Sequence, residues 1–140
     1  VRTRGVHIAE RIVKRINKLE KIKPPMGTLD ITLYRDDLRH KTEWPKVEKT
    51  EIPFLVEDKK VILVDDVIYT GRTTRAALEE IMDFGRPSSI QLVAMVDRGH
   101  RELPIQPDYL GLQVNTLISE KVRVHLKETD GKDEVIVKKG

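Results

Sequence analysis

Two carboxylates stand side by side inside "VILVDDVIYTGRTT", residues 61–74. Asp65 and Asp66 are acceptors for hydroxyl groups and hard ligands for a divalent cation. Just beyond them, Thr70, Gly71, Arg72, Thr73 and Thr74 offer hydroxyls and a glycine turn. Such a turn brings backbone N–H groups up to an anion, and a helix starting there adds a favourable dipole. A phosphate belongs on the threonine side, because the two acids would repel it. The ligand that suits both ends carries a phosphate and, close by, hydroxyls or a magnesium-bound polyol. A 5-phosphoribosyl group has both. The alternative is that the acids cap the next helix and the threonines satisfy turn amides. The whole string, set between an apolar strand and a helix, favours the ligand.

The elements around the string follow from periodicity. Val6, Ala9, Ile12, Val13, Ile16 and Leu19 share a helical face opposite Glu10, Arg11, Lys14 and Arg15, and Pro24-Pro25 bounds that helix. "TLDITLY" (28–34) alternates like a half-buried strand. Residues 35–52 are polar and aperiodic, which suggests a functional flap or a disordered segment. "KVILVDD" and "IQLVAMV" (90–96) are unbroken apolar runs, as in buried parallel strands, with Asp65 and Asp66 at the end of the first. Between them, 73–84 read as a helix with Ala76, Ala77, Ile81 and Phe84 inward and Gly85 past its end. "YLGLQV", "KVRVHL" and "DEVIVK" look like a small antiparallel appendage. The expected fold is α/β: a central, mainly parallel twisted sheet with flanking helices and a small antiparallel hood. Ligands of such sheets bind beyond the carboxyl ends of the strands, where this string lies.

Composition sets the outer bounds. The chain has 140 residues, a formal net charge of +3 and 35% charged residues, which suits one globular domain with an anionic partner permitted but not required. It has no cysteine, which excludes disulfides and thiolate metal sites. Without a long apolar run or a secretory leader, the expected location is the cytoplasm.

"VILVDDVIYTGRTT" resembles the phosphoribosyl pyrophosphate (PRPP) binding motif of the type I phosphoribosyltransferases. It is not a P-loop, since no Gly-Lys-Ser/Thr follows the glycine. "LDITLYRDDL" (29–38), "IPF" (52–54) and "VDRGHRELPIQPDYLG" (96–111) resemble one branch of that family. These are the bifunctional pyrimidine operon attenuators that are also uracil phosphoribosyltransferases, the PyrR branch. The likeness covers essentially the whole chain as one domain, 1–140. "VRTRG" then resembles the pyrophosphate loop, and the family's N-terminal helix and first strand are expected to be lacking from the sequence.

The resemblance implies attack of uracil on the anomeric carbon of PRPP, giving UMP and pyrophosphate. It makes Asp65, Asp66 and Arg4 the catalytic set. PRPP would be bound by Thr3, Arg4, Arg35, Asp65, Asp66, Val67, Ile68, Tyr69, Thr70, Gly71, Arg72 and Thr73. Mg²⁺ is implied as cofactor, held mainly through ligand oxygens. Arg35 would reach the pyrophosphate from a flap with Asp36 and Asp37; a solvated arginine is the other reading. Arg98 and Val114 would meet the base or nucleotide, although Arg98 equally suits a structural ion pair.

The branch also binds leader mRNA of the pyrimidine operon in a UMP-dependent way. His7, Arg11, His100 and Arg101 are the implied contacts, with Lys14 and Arg15 as a further basic run; a solvated helix face is the alternative. The sequence departs from the branch at Gln106 and Leu112, where some regulators carry cations, which puts strong RNA binding in question. The branch tends to form homodimers or higher homo-oligomers. The competing function is a phosphoribosyltransferase of another base without RNA binding.

Overall fold

In the computed structural model, which describes residues 1–34 and 49–140, the order is α1 (Arg4–Glu20), a 3-10 turn (Thr32–Tyr34), β1 (Lys60–Ile68), α2 (Arg72–Phe84), β2 (Ser89–Asp97), β3 (Tyr109–Gln113), β4 (Lys121–His125), α3 (Lys127–Asp130) and β5 (Glu134–Lys138). Strands β1, β2 and β3 form a three-stranded sheet in that order, with both pairings parallel. Strands β4 and β5 make a separate antiparallel pair. α2 is the crossover between β1 and β2.

Two apolar clusters hold the layers. One joins Leu63 and Ile68 of β1 and Leu92 and Ala94 of β2 to Ala77 and Ile81 of α2, with Leu29 and Val56. The other joins Ile8 of α1, Val64 and Val96 of the sheet, and Val124 and Leu126 of the hairpin. The hairpin is thereby fastened to the same core as α1. Val6, Ala9, Ile12, Val13 and Ile16 of α1 line an apolar cavity along β1 rather than being sealed by the sheet.

The expected α/β sheet is present, and several local readings need correction. "TLDITLY" is not a strand: Thr28 makes an isolated bridge to Glu51, and the chain then turns into the 3-10 segment. Asp30 breaks the alternation by turning back, its Oδ1 accepting from the N–H of Thr32 at 2.8 Å. "YLGLQV" belongs to the main sheet as β3, pairing parallel to β2 through Val93–Tyr109 and Ala94–Leu110, so only the other two segments form the antiparallel unit. Phe84 is 52% exposed and Leu19 is 66% exposed. Glu80 takes a place inside α2's packed face instead, and Ile8 is the helix α1 anchor. β1 runs two residues past Asp66, so the acids sit inside the strand. Arg35, Asp36 and Asp37 lie outside the described residues.

α1 approaches β1 backbone to backbone at Gly5. A Cβ there would meet the Val64 carbonyl oxygen at 2.8 Å and the Asp65 Cα at 3.3 Å. Neither partner is a flexible side-chain tip, so the helix would have to withdraw. Gly5→Ala should therefore lower stability by about 1–3 kcal/mol and Tm by roughly 3–10 °C, despite alanine's higher helix propensity. Thermal unfolding of the two proteins checks this.

Candidate functional site

Asp65 is 7% exposed, while Asp66 is half-buried. Each curls back on the chain: Asp65 Oδ1 accepts the Asp66 N–H and Asp66 Oδ1 accepts the Val67 N–H, both at 2.8 Å. The two carboxylates share a hydrogen bond. Burial above all, then the charge of Asp66 and a hydrogen bond shared with it, push the Asp65 carboxyl up to about 8. Burial and the neighbouring charge thus both favour the neutral form of Asp65.

Two helix N-termini flank this pair. α1 begins at Arg4 with Thr3 as N-cap, and α2 begins at Arg72 with Gly71 as N-cap. Neither has a side-chain cap, and neither carries an acid in its first turn. The Arg72 N–H donates to Thr70 Oγ1 at 3.3 Å, and with no acid in either first turn the two helix ends keep their positive dipoles, which is the electrostatics of an anion cradle. Gly71 has φ +93°, a left-handed conformation that glycine adopts without strain. The turn before α2 is braced from behind. Thr70's carbonyl accepts from the N–H of Glu102 at 2.9 Å and of Leu103 at 3.1 Å. Tyr69's carbonyl accepts from Arg101 Nη1 at 2.9 Å, and Arg72 pairs with Glu102 at 3.0 Å. Val67 and Ile68 lie inside β1, with Ile68 in the core and Thr73 in the first turn of α2.

The remaining predicted residues have partners of their own. Arg4 donates through Nη2 and Nε to the two Asp130 oxygens, at 2.8 and 3.2 Å. Arg11 grips Glu128 and Asp133, and its guanidinium is held above its ordinary value mainly by the hydrogen bond to Glu128. Arg101 binds both Asp97 oxygens, at 2.9 and 2.6 Å, and this keeps Asp97 below its usual range. His7 Nδ1 lies 3.6 Å from Glu10. His100 Nε2 is 2.6 Å from the Thr116 carbonyl, so that nitrogen donates. Arg98 is buried and lies over the Tyr69 ring, and Val114 donates its N–H to the Asp97 carbonyl at 2.9 Å. Asp65, Asp66, Thr3, Arg4 and the 69–73 turn are therefore gathered at one end of β1. Arg98, His100, Arg101 and Val114 gather around the end of β2. His7 and Arg11 lie on α1.

Sequence reasoning missed Asp97, Gly5 and Asp130. Asp97 ends the second apolar run just as the acids interrupt the first, a signal that was available. Gly5 and Asp130 carry no local signal, since one answers to a strand sixty residues away and the other to a helix at the far end of the chain. Among the described residues no group of three or more His, Cys, Asp or Glu side chains could hold a metal ion, and no helix is long and apolar enough to cross a membrane.

Raising Asp65 has a consequence for stability. The folded state holds this proton more tightly than the unfolded chain, so the contribution is complete below 3.8 and lost as pH rises to about 8. The stability difference between wild type and Asp65→Asn should shift in favour of the variant across that interval. Paired thermal melts at a series of pH values measure it, and the difference cancels the titrating groups that do not interact with Asp65.

Residues 1–129 match the family model of the phosphoribosyl transferase domain. A bifunctional protein PyrR of Chloroflexus aurantiacus is 54% identical over 140 residues, covering 100% of this chain and 77% of that one. One of Pelotomaculum thermopropionicum is 56% identical over 137 residues, 98% of this chain and 76% of its own. One of Enterococcus faecalis is 50% identical over 140 residues, covering 78% of that protein. Among solved structures, a hypoxanthine-guanine phosphoribosyltransferase of Bacillus anthracis superposes with TM-score 0.49 at 19% identity, over 68% of this chain and 57% of that one.

Proposed function

The chain belongs to the phosphoribosyl transferase domain family, among its bifunctional PyrR proteins, and from that membership we propose how its residues divide the work. It transfers the phosphoribosyl group of PRPP to uracil, and with UMP bound it attenuates transcription by binding pyrimidine operon leader mRNA. One observation carries the enzymatic assignment: an acid pair, Asp65 buried and Asp66 half-buried, between two helix N-termini that carry no acid in the first turn and no side-chain cap from the N-cap residue. PRPP is a diol with a phosphate on one side and a pyrophosphate on the other, and the three features meet those three groups in that order.

Asp66 and Asp65 accept hydrogen bonds from the ribose hydroxyls. The turn from Tyr69 to Thr73 and the start of α2 take the 5-phosphate. Thr3, Arg4 and the start of α1 take the pyrophosphate. Uracil N1 forms the bond to the anomeric carbon as the bond to the pyrophosphate oxygen breaks, and the N1 proton leaves to solvent. Positive charge grows on the ribose, and the carboxylate of Asp66 favours it. Negative charge grows on the leaving group, which the α1 N-terminus and Arg4 favour. Mg²⁺ suits this site as an ion shared with substrate: the acid pair offers hard oxygens but too few to enclose a cation alone. When bound, it neutralises the leaving pyrophosphate. Uracil lies beside the end of β2, near Arg98 and the loop that follows Val114.

For RNA, Arg11 and Arg101 already hold carboxylates at bonding distance. Phosphate binding at either means exchanging one anion for another. Lys14 and Arg15 on the outer face of α1 are exposed cations. Gln106 and Leu112 are exposed and uncharged, so the β3 side adds no cation of its own at these positions. The protein works in the cytoplasm as a homo-oligomer.

Pyrophosphate release that requires uracil tests the enzyme, and Asp66→Asn should lower kcat/KM about a hundredfold or more. Release with hypoxanthine or guanine but not uracil would transfer the assignment to another base. Filter binding of pyrimidine leader RNA with and without UMP tests the regulator. Lys14→Ala should lower the slope of log affinity against log salt by about 0.7, the value for one phosphate contact on a single strand.

A further inference from the structure

Arg98 is the only buried cation among the described residues, at 7% exposure, and it has no carboxylate partner within ion-pair distance there. A buried guanidinium needs compensation. Here it comes from two sources: the guanidinium carbon lies 4.0 Å from the centroid of the Tyr69 ring, and Nη2 donates to the Leu117 carbonyl at 3.1 Å. Nε has no partner among the described residues. The backbone repeats the same link. Arg98 N–H donates to the Ile68 carbonyl at 3.2 Å, and the Arg98 carbonyl accepts from Thr116 Oγ1 at 2.9 Å. His100 extends it, donating to the Thr116 carbonyl while its ring meets the Tyr69 ring edge-on at 6.0 Å.

One residue therefore touches the turn that precedes α2 and the loop at 116–117. These are separate stretches of chain with separate tasks, the first for the phosphate and the second beside the base. A planar cation is suited to this: one face stacks on the ring while the edge reaches a carbonyl, which a lysine ammonium cannot do in one place.

We propose that Arg98 is a positioning residue that fixes the 116–117 loop against the face of Tyr69, so that the base site takes its shape from the phosphate turn. The inference rests on the uracil phosphoribosyltransferase reading above and deepens it. Arg98 acts on the base through the loop, and Tyr69 contributes its ring as the platform for Arg98, apart from what its backbone does in the turn.

The experiment is a double-mutant cycle of Arg98→Gln and Tyr69→Leu, with Arg98→Lys alongside, read as KM for uracil, KM for PRPP and kcat, with thermal melts of each protein. Each single substitution should raise the uracil KM about tenfold and the PRPP KM by much less. The double variant should be no worse than the worse single one, because the two side chains act as a unit. Arg98→Lys should behave like Arg98→Gln while keeping the wild-type Tm within a few degrees. Multiplicative effects in the double variant, an unchanged uracil KM in Arg98→Gln, or full restoration by lysine would each overturn the inference while leaving the enzyme assignment standing. Absence of uracil-dependent turnover in the wild type would instead remove the assignment itself.

Discussion

The contact between Gly5 and the β1 backbone sets the geometry of the site. Because the helix starts where a Cβ would strike the Val64 carbonyl, the first turn of α1 lies directly beside Asp65. The same approach covers Asp65 and deprives it of water. Two properties that look independent, a carboxyl pushed toward its neutral form and a helix N-terminus poised next to it, come from one close packing. On the far side α2 rises from the same strand through a glycine turn. Two positive helix ends therefore converge on one strand, and neither carries an acid in its first turn. For a fold with no ligand this would be an unbalanced arrangement. For a ligand with an anion at each end and hydroxyls between, it is a template.

The central motif was legible because its chemistry is local. Strand, acids, turn and helix follow within fourteen residues, so period and residue type suffice to place them. What escaped was set by partners distant in sequence. "TLDITLY" has the alternation of a strand, but Leu29 serves the α2 core while Asp30 bonds to its own chain at Thr32, and a single bridge to Glu51 replaces a ladder. "YLGLQV" alternates equally well. Its parallel place beside β2 depends on the course of 98–108, which contains no helix to announce a crossover. In α2, Phe84 was assigned inward by hydrophobicity. The inward position is filled instead by Glu80, whose Oε1 takes the Thr50 hydroxyl, a tertiary demand no helical period encodes.

The cations show the same limit. The family resemblance implies that Arg4, Arg11 and Arg101 wait for phosphates, yet each meets a carboxylate first. Arg4 and Arg11 lie on one face of α1 and hold Asp130, Glu128 and Asp133, which belong to the turn between β4 and β5. The hairpin is thus fastened at its turn end by charge as well as by the apolar contacts of Val124 and Leu126. The Arg11 pairs are exposed and individually weak, and they weaken further with salt, while Arg4–Asp130 is partly buried. An incoming polyphosphate competes for the same guanidiniums at little cost in fold stability, since the apolar contacts remain.

Asp65 then takes on a further role. In the free protein its neutral form suits the crowded, dry position beside Asp66, and a proton there avoids two adjacent charges. Either form of the Asp65 carboxyl keeps an acceptor oxygen, so in the proposed reading Asp65 and Asp66 both accept from the ribose hydroxyls. As positive charge builds on the sugar ring, the charged form of Asp65 gains the opposite charge it lacks in the free protein. In the proposed reaction, the burial that disfavours charge on Asp65 without substrate is therefore offset as the bond to pyrophosphate breaks. An attraction that grows along the reaction coordinate lowers the barrier more than one already present in the ground state, which gives a physical reason for one of the two acids to be buried and the other left wet.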